Sequence, residues 1–321
     1  MKRITIDTTA WQRACHYFAV SSLCGFKQRE SEGMWHEIQS LVVSVPLTEA
    51  AEAVLERRGI SHEHWRAALH SALRHSGALE PDDRVLALGD GDYPPVLAQV
   101  PGAPRFLFVH GRLELLDGRP ALAVVGTREP TDAGRRRARK LGYLLAKLGI
   151  VVVSGLARGI DGEAHRGALA IGGDTVAVLG TPLSRTYPQE HAALQVQIGT
   201  VGALVSQFHP AAGIKRHFFP MRNATMSGLC LGTVVVEASE TSGALIQARQ
   251  CLQQGRKLFI PQSALDNPRL TWPKRFLSQG AHAFREIDDL MRVLAAEGLV
   301  EASGEPADYA SPAHVVSLDV R

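Results

Sequence analysis

From Ala121 onward the chain repeats one pattern. A short apolar run is followed by a glycine-containing turn and then by a stretch with helical spacing. The runs are Ala121-Leu122-Ala123-Val124-Val125, Val151-Val152-Val153, Thr175-Val176-Ala177-Val178-Leu179, Ala203-Leu204-Val205, Thr233-Val234-Val235-Val236 and Lys257-Leu258-Phe259-Ile260. Continuous runs rich in β-branched residues suit strands buried on both faces, as in a parallel sheet. The helical stretches between them supply right-handed crossovers. The pattern therefore predicts an α/β fold, a Rossmann-like doubly wound, mostly parallel sheet. Ligands of such sheets sit beyond the carboxyl ends of the strands.

Residues 1–80 read as a small helical N-terminal domain, with apolar residues at helical spacing in Ala50-Ala51-Glu52-Ala53-Val54-Leu55 and Trp65-Arg66-Ala67-Ala68-Leu69. Trp11, Phe18, Trp35 and Trp65 are expected in the core. Glu80-Pro81-Asp82-Asp83 marks a boundary, residues 81–297 form the sheet domain, and 298–321 form a tail of low periodicity. No apolar run reaches the roughly 20 residues of a membrane-spanning helix. Met1-Lys2-Arg3-Ile4-Thr5-Ile6-Asp7 lacks the apolar core of a signal peptide. Cys15, Cys24, Cys230 and Cys251 form no CxxC pair, so neither a zinc site nor any other metal centre is expected. These features point to the cytoplasm.

The net charge of +3 excludes little, but Arg135-Arg136-Arg137-Ala138-Arg139-Lys140 places five cations in six residues. Such a run is either a patch for a polyanion or a solvated helix face.

The chemistry lies in the turns after the strands. Gly126-Thr127-Arg128 offers a glycine for close backbone approach, a hydroxyl and a guanidinium fork suited to phosphate, and Thr131 or Asp132 can cap the next helix. Ser154-Gly155-Leu156-Ala157-Arg158-Gly159-Ile160-Asp161 frames Arg158 with two glycines, and Asp161 is expected to cap the helix that follows. His165 reads as structural, because no second ligand stands at metal spacing. Between the fourth and fifth runs, Lys215, Arg216 and Arg222 are interleaved with Phe218 and Phe219, the mixture that grips unpaired strands by phosphate contact and base stacking. Glu237-Ala238-Ser239-Glu240-Thr241-Ser242-Gly243 is a hydroxyl-rich turn whose two carboxylates are expected to be capping groups. No GxGxxG or GK[ST] fingerprint is present, and no nucleophile, base or cofactor motif completes a catalytic set.

Taken in order, Ala123-Val124-Val125-Gly126-Thr127-Arg128, Val152-Val153-Ser154-Gly155-Leu156-Ala157-Arg158-Gly159-Ile160-Asp161, Tyr187-Pro188, Phe219-Pro220-Met221-Arg222-Asn223 and Val235-Val236-Glu237-Ala238-Ser239-Glu240-Thr241-Ser242-Gly243-Ala244-Leu245 resemble the signatures of the DNA-processing protein A (DprA/Smf) family. So do the lead-in segments Asp92-Tyr93-Pro94-Pro95 and Phe106-Leu107-Phe108-Val109-His110-Gly111. The resemblance implies an extended Rossmann fold and a homodimer that binds single-stranded DNA, and the missing catalytic fingerprints lead us to expect no turnover. It also implies protection of incoming strands in natural transformation and help in loading a RecA-type recombinase. The resemblance implies Gly126, Arg128, Gly155, Arg158, Arg222, Asn223, Ser242 and Gly243 as the pocket residues, and the reading of the turns and loop adds Thr127, Lys215, Arg216 and Phe219 as DNA-binding residues. Apolar residues near the end, Leu290, Met291, Val293 and Leu294, are either core or a dimer face.

The chain departs from the family pattern at Ala224, where Arg is usual, at Gln247, where Thr is usual, and at His191, where Asn is usual. The family's C-terminal winged helix is not evident. The alternative reading is a nucleotide-binding sensor or hydrolase of related fold, such as one acting in phage defence. The absence of a PGGxGTxxE motif from the fifth-strand turn favours binding.

Overall fold

A computed structural model describes residues 8–300. The first seven residues, and positions 301–321 of the expected tail, lie outside the described residues. Four helices come first: α1 (Thr8–Leu23), α2 (Gln28–Leu41), α3 (Leu47–Arg57) and α4 (His62–Leu73). Strand β1 (Arg84–Ala87), helix α5 (Pro95–Ala98) and strand β2 (Phe106–Gly111) lead into the alternating region. There β3 (Ala121–Gly126), α6 (Asp132–Lys147), β4 (Val151–Ser154), α7 (Ile160–Leu169), β5 (Thr175–Leu179), α8 (Ala192–Val201) and β6 (Ala203–Ser206) follow one another. The second half comprises α9 (Phe218–Gly228), β7 (Gly232–Glu237), α10 (Ala244–Gln253), β8 (Lys257–Pro261), α11 (Gln262–Leu265), α12 (Trp272–Leu277), β9 (His282–Phe284) and α13 (Ile287–Ala296). All six apolar runs form strands.

The nine strands make one sheet in the order β1-β2-β6-β5-β4-β3-β7-β8-β9. The β3 to β9 pairings are parallel, whereas β1–β2 and β2–β6 are antiparallel. Chain order reverses at β3, which is flanked by β4 and β7. The register there shifts between Val125 and Gly126, and the Thr127 N–H donates to the Glu237 carbonyl at 2.7 Å. This opens the switch-point crevice where a doubly wound sheet binds ligands.

Alternate residues of the central strands face two cores. Leu122, Val124, Val152, Val234 and Val236 pack with residues of α6, α7 and α13. Ala123, Val125, Val153, Val235 and Ile260 pack with residues of α9, α10 and α12. Covering both faces explains the unbroken apolar runs. The N-terminal helices share a third core with β1, β2 and α8, and Trp11, Trp35 and Trp65 are buried in it as expected, with Phe18 partly so. Leu290 and Leu294 are fully buried beneath the sheet and Met291 and Val293 pack against the same core. The apolar stripe of α13 is thus consumed internally, and offers no support for a dimer face. Among the described residues, no helix is long and apolar enough to cross a membrane.

Candidate nucleic-acid interface

The turns after β3, β4 and β7 and the first turns of α9 and α10 enclose a pocket of about 370 Å³. Its rim carries Gly126, Thr127 and Arg128 on one side, Ser239, Ser242 and Gly243 on another, and Phe219 and Asn223 on a third. α9 and α10 run in the same direction: the Gln250 amide donates to the Pro220 carbonyl at 3.2 Å, and four residues on the Gln254 amide donates to the Ala224 carbonyl at 3.0 Å. Both helices therefore begin at the pocket, so the positive ends of two helix dipoles point toward it. No residue lies within 4 Å of where a Cβ on Gly243 would be, so the backbone there is open to a ligand.

Arg128 is exposed, and its guanidinium carbon stands 5.9 Å from the centre of the Phe219 ring. Phe219 also meets Tyr187 at 5.3 Å between ring centres. A cation beside a half-exposed ring can hold a phosphate next to a stacked base. Phe218 points the other way: it is buried and stacked on Phe208 at 3.9 Å. Successive residues on a helix turn by about 100°, so neighbouring phenylalanines cannot share a face.

Beneath the pocket lie two buried charged side chains, Arg222 and Asp161. Arg222 is 4 % exposed, and its Nη1 donates to the Gly155 and Val178 carbonyls, each at 2.5 Å. Burial pulls its pKa down to about 10, against the opposing pull of Asp161. Asp161 does not cap α7 from outside. It lies within the first turn, and its carboxylate accepts from the Gly155 N–H at 3.1 Å and the Ala157 N–H at 3.4 Å. Burial raises the pKa of Asp161, and Arg222 together with these N–H groups opposes the rise. The bracketed residue, Leu156, has φ +56°, a region costly for a branched side chain. His191 donates from Nδ1 to its carbonyl at 2.9 Å. The family departure at His191 is thus a brace under the loop, not a ligand group.

Several expected DNA-binding residues are placed elsewhere. Gly155 lies behind the Arg222 guanidinium rather than at the surface. Gly126 lines the pocket, but a Cβ there would stand 2.5 Å from Ile160 Cγ1, so internal packing requires the glycine. Arg158 is exposed and pairs with Glu190 at 2.6 Å, off the pocket wall. Lys215 sits over the Phe26 ring at 3.2 Å, drawn to the N-terminal helices, while Arg216 is exposed outside the pocket. The pocket brings together Gly126, Thr127, Arg128, Phe219, Arg222, Asn223, Ser242 and Gly243, with Arg222 turned inward. The sequence reading missed Ser239, Met226 and Gln247 as lining residues. The i+4 step from Gly243 was the available signal for Gln247.

The carboxylates of the β7 turn are caps. Glu237 accepts from the Thr131 N–H at 2.9 Å and its hydroxyl at 2.8 Å, and Thr131 in turn accepts from the Gly134 N–H. Glu240 accepts from the Thr271 and Trp272 N–H groups at the start of α12. His165 is buried and bonded through Nδ1 to the Thr175 hydroxyl at 2.7 Å. The α6 cations are exposed, and Arg139 pairs with Glu163.

Fold and site together define a doubly wound α/β protein with a phosphate- and base-compatible pocket at its switch point. The family model for DNA recombination-mediator protein A matches residues 84–295. Protein Smf of Escherichia coli (strain K12) is 35 % identical over 291 residues, 90 % of this chain and 75 % of that protein. DNA processing protein DprA of Streptococcus pneumoniae is 40 % identical over 194 residues, covering 60 % of this chain and 65 % of that one. Among solved structures, DprA from Streptococcus pneumoniae superposes with TM-score 0.68 at 28 % identity, covering 81 % of this chain and 92 % of that chain. DNA processing protein A from Helicobacter pylori, described for its single-stranded DNA binding mode, superposes with TM-score 0.58 at 26 % identity, covering 66 % and 96 %. The chain belongs to the DNA recombination-mediator protein A family.

Proposed function

We propose that this protein binds single-stranded DNA through the switch-point pocket, in DNA processing or the uptake and recombination of strands. The observation that carries the reading is the grouping of Arg128, Phe219, Asn223 and the starts of α9 and α10 around one pocket. It supplies a cation and two positive helix-dipole ends for phosphate and a ring for a base, and an unpaired strand presents both together. The described single-strand binding of the Helicobacter pylori relative supports it. Action as a homodimer and delivery of strands to a RecA-type recombinase extend this reading on family grounds, and binding without turnover extends it on the lack of a catalytic motif in the sequence. A titration of labelled single strand, competed by duplex and by free nucleotides, tests the core proposal. Single strand binds in preference to both if it is right. Tighter binding of a free nucleotide favours the sensor reading. Light scattering at tens of micromolar protein tests the dimer.

A further inference from the structure

Gln247 lies one turn into α10 and lines the pocket. It is 1 % exposed, yet neither its Oε1 nor its Nε2 has a hydrogen-bond partner. A buried amide with both ends unmet is uncommon, because it loses its bonds to water and gains nothing in return.

The neighbouring glutamines explain why this one is left over. Gln247, Gln250 and Gln254 follow i, i+3, i+7 spacing and so share one stripe of α10. The latter two reach across to α9, to the carbonyls of Pro220 and Ala224. Gln247 lies three residues before Gln250, and the same offset from Pro220 falls at His217, just before α9 begins at Phe218. At that level the partner helix is missing and the pocket takes its place. Gln247 thus remains in the pocket wall with its buried amide unbonded, and Phe219 and the start of α10 are among the neighbouring walls.

We propose that Gln247 is a specificity-determining residue that hydrogen-bonds the edge of an unpaired nucleobase seated against Phe219. A carboxamide offers a donor and an acceptor side by side, and so pairs with a base edge through two bonds. Each base sets such a pair at a different place on its ring. An amide held on a rigid helix fits one edge better than the others. This inference rests on the proposed single-strand binding and adds that the strand is read, not merely held.

The test uses the full chain and four labelled homopolymeric single strands, one for each base. The wild-type protein ranks them over roughly fivefold or more, the lower end of what one bidentate amide–base pair gives. Gln247→Met, close in shape and without hydrogen-bonding groups, brings the four within about twofold of one another. Its salt dependence stays unchanged, because no phosphate contact is lost. Its melting temperature is no lower than wild type, because a buried unmet amide has been removed. Gln247→Asn, which withdraws the amide by one methylene, flattens the ranking too and guards against a folding defect in the first variant. A wild-type ranking retained in both variants overturns the proposal. So does wild-type binding with no base preference, which leaves single-strand binding standing. Failure of the wild-type protein to bind any single strand overturns both.

Discussion

The guanidinium of Arg222 occupies the space that a Cβ on residue 155 would need. Its Nη1 would lie 2.1 Å from such a carbon, and it donates to the Gly155 carbonyl at 2.5 Å. The glycine of the β4 turn and the arginine of α9 are therefore one structural unit, with Asp161 as counter-charge.

Gly155→Ala should displace that guanidinium, and Arg222→Leu should remove its hydrogen bonds to the buried Gly155 and Val178 carbonyls and the charge that offsets Asp161. Each is expected to cost about 1–3 kcal/mol, the usual penalty for leaving buried polar groups unmet. Because both lesions undo the same contact, the double variant should lose clearly less than the sum. Denaturant melts of the three variants check this. Simple additivity would show that the two positions are independent.

Arg128 and Arg158, equivalent in the sequence reading, should now separate. Arg128 lines the pocket, while Arg158 is 60 % exposed and tied to the half-exposed Glu190. Arg128→Ala should weaken single-strand binding and reduce the log–log salt slope by about 0.7, one phosphate contact. Arg158→Ala should leave the slope near wild type and change stability by less than about 1 kcal/mol, the range of surface ion pairs. Equal slope changes in the two variants would contradict the assigned geometry.

Phe219→Ala should cost about 1–3 kcal/mol of single-strand affinity through lost stacking. Phe218→Ala should instead cost about 3–5 kcal/mol of folding stability, because that ring is buried against Phe208. Binding titrations paired with thermal melts distinguish them. A binding loss confined to Phe218→Ala would invert the proposed roles.

Burial lowers the pKa of both His165 and His209 from 6.5 to about 3. His209 is stacked between Trp11 and Phe18 at 4.9 and 4.5 Å. The unfolded chain binds protons at these sites at a higher pH than the folded one. Their contribution is therefore complete above about pH 6.5 and is lost as the pH falls toward 3, by up to about 1.4 kcal/mol per pH unit for each imidazole. Unfolding free energy measured between pH 6.5 and 5 should fall, and His209→Gln should reduce the slope. An unchanged slope in that variant would exclude His209 as a source.

Strand identity was legible in the sequence from β3 to β8 because it rests on local chemistry. β-Branched runs such as Val151-Val152-Val153 state their own conformation and, being unbroken, their burial on both faces. The turns at Gly126, Gly155 and Gly243 were legible for the same reason, and topology brings the ends of these strands to one rim. The antiparallel edge β1–β2 was not legible as strands, since neither is followed by a long crossover helix as β3 to β7 are. Nor was the direction of the side chains. Arg222 turns inward to a carbonyl 67 residues away, Lys215 is drawn to Phe26, and Gln247 is left unpartnered because α9 begins too late to meet it. Residue type and spacing set which groups reach the rim. Whether each faces solvent, core or pocket depends on partners distant in the chain, and only tertiary packing brings those partners within bonding reach.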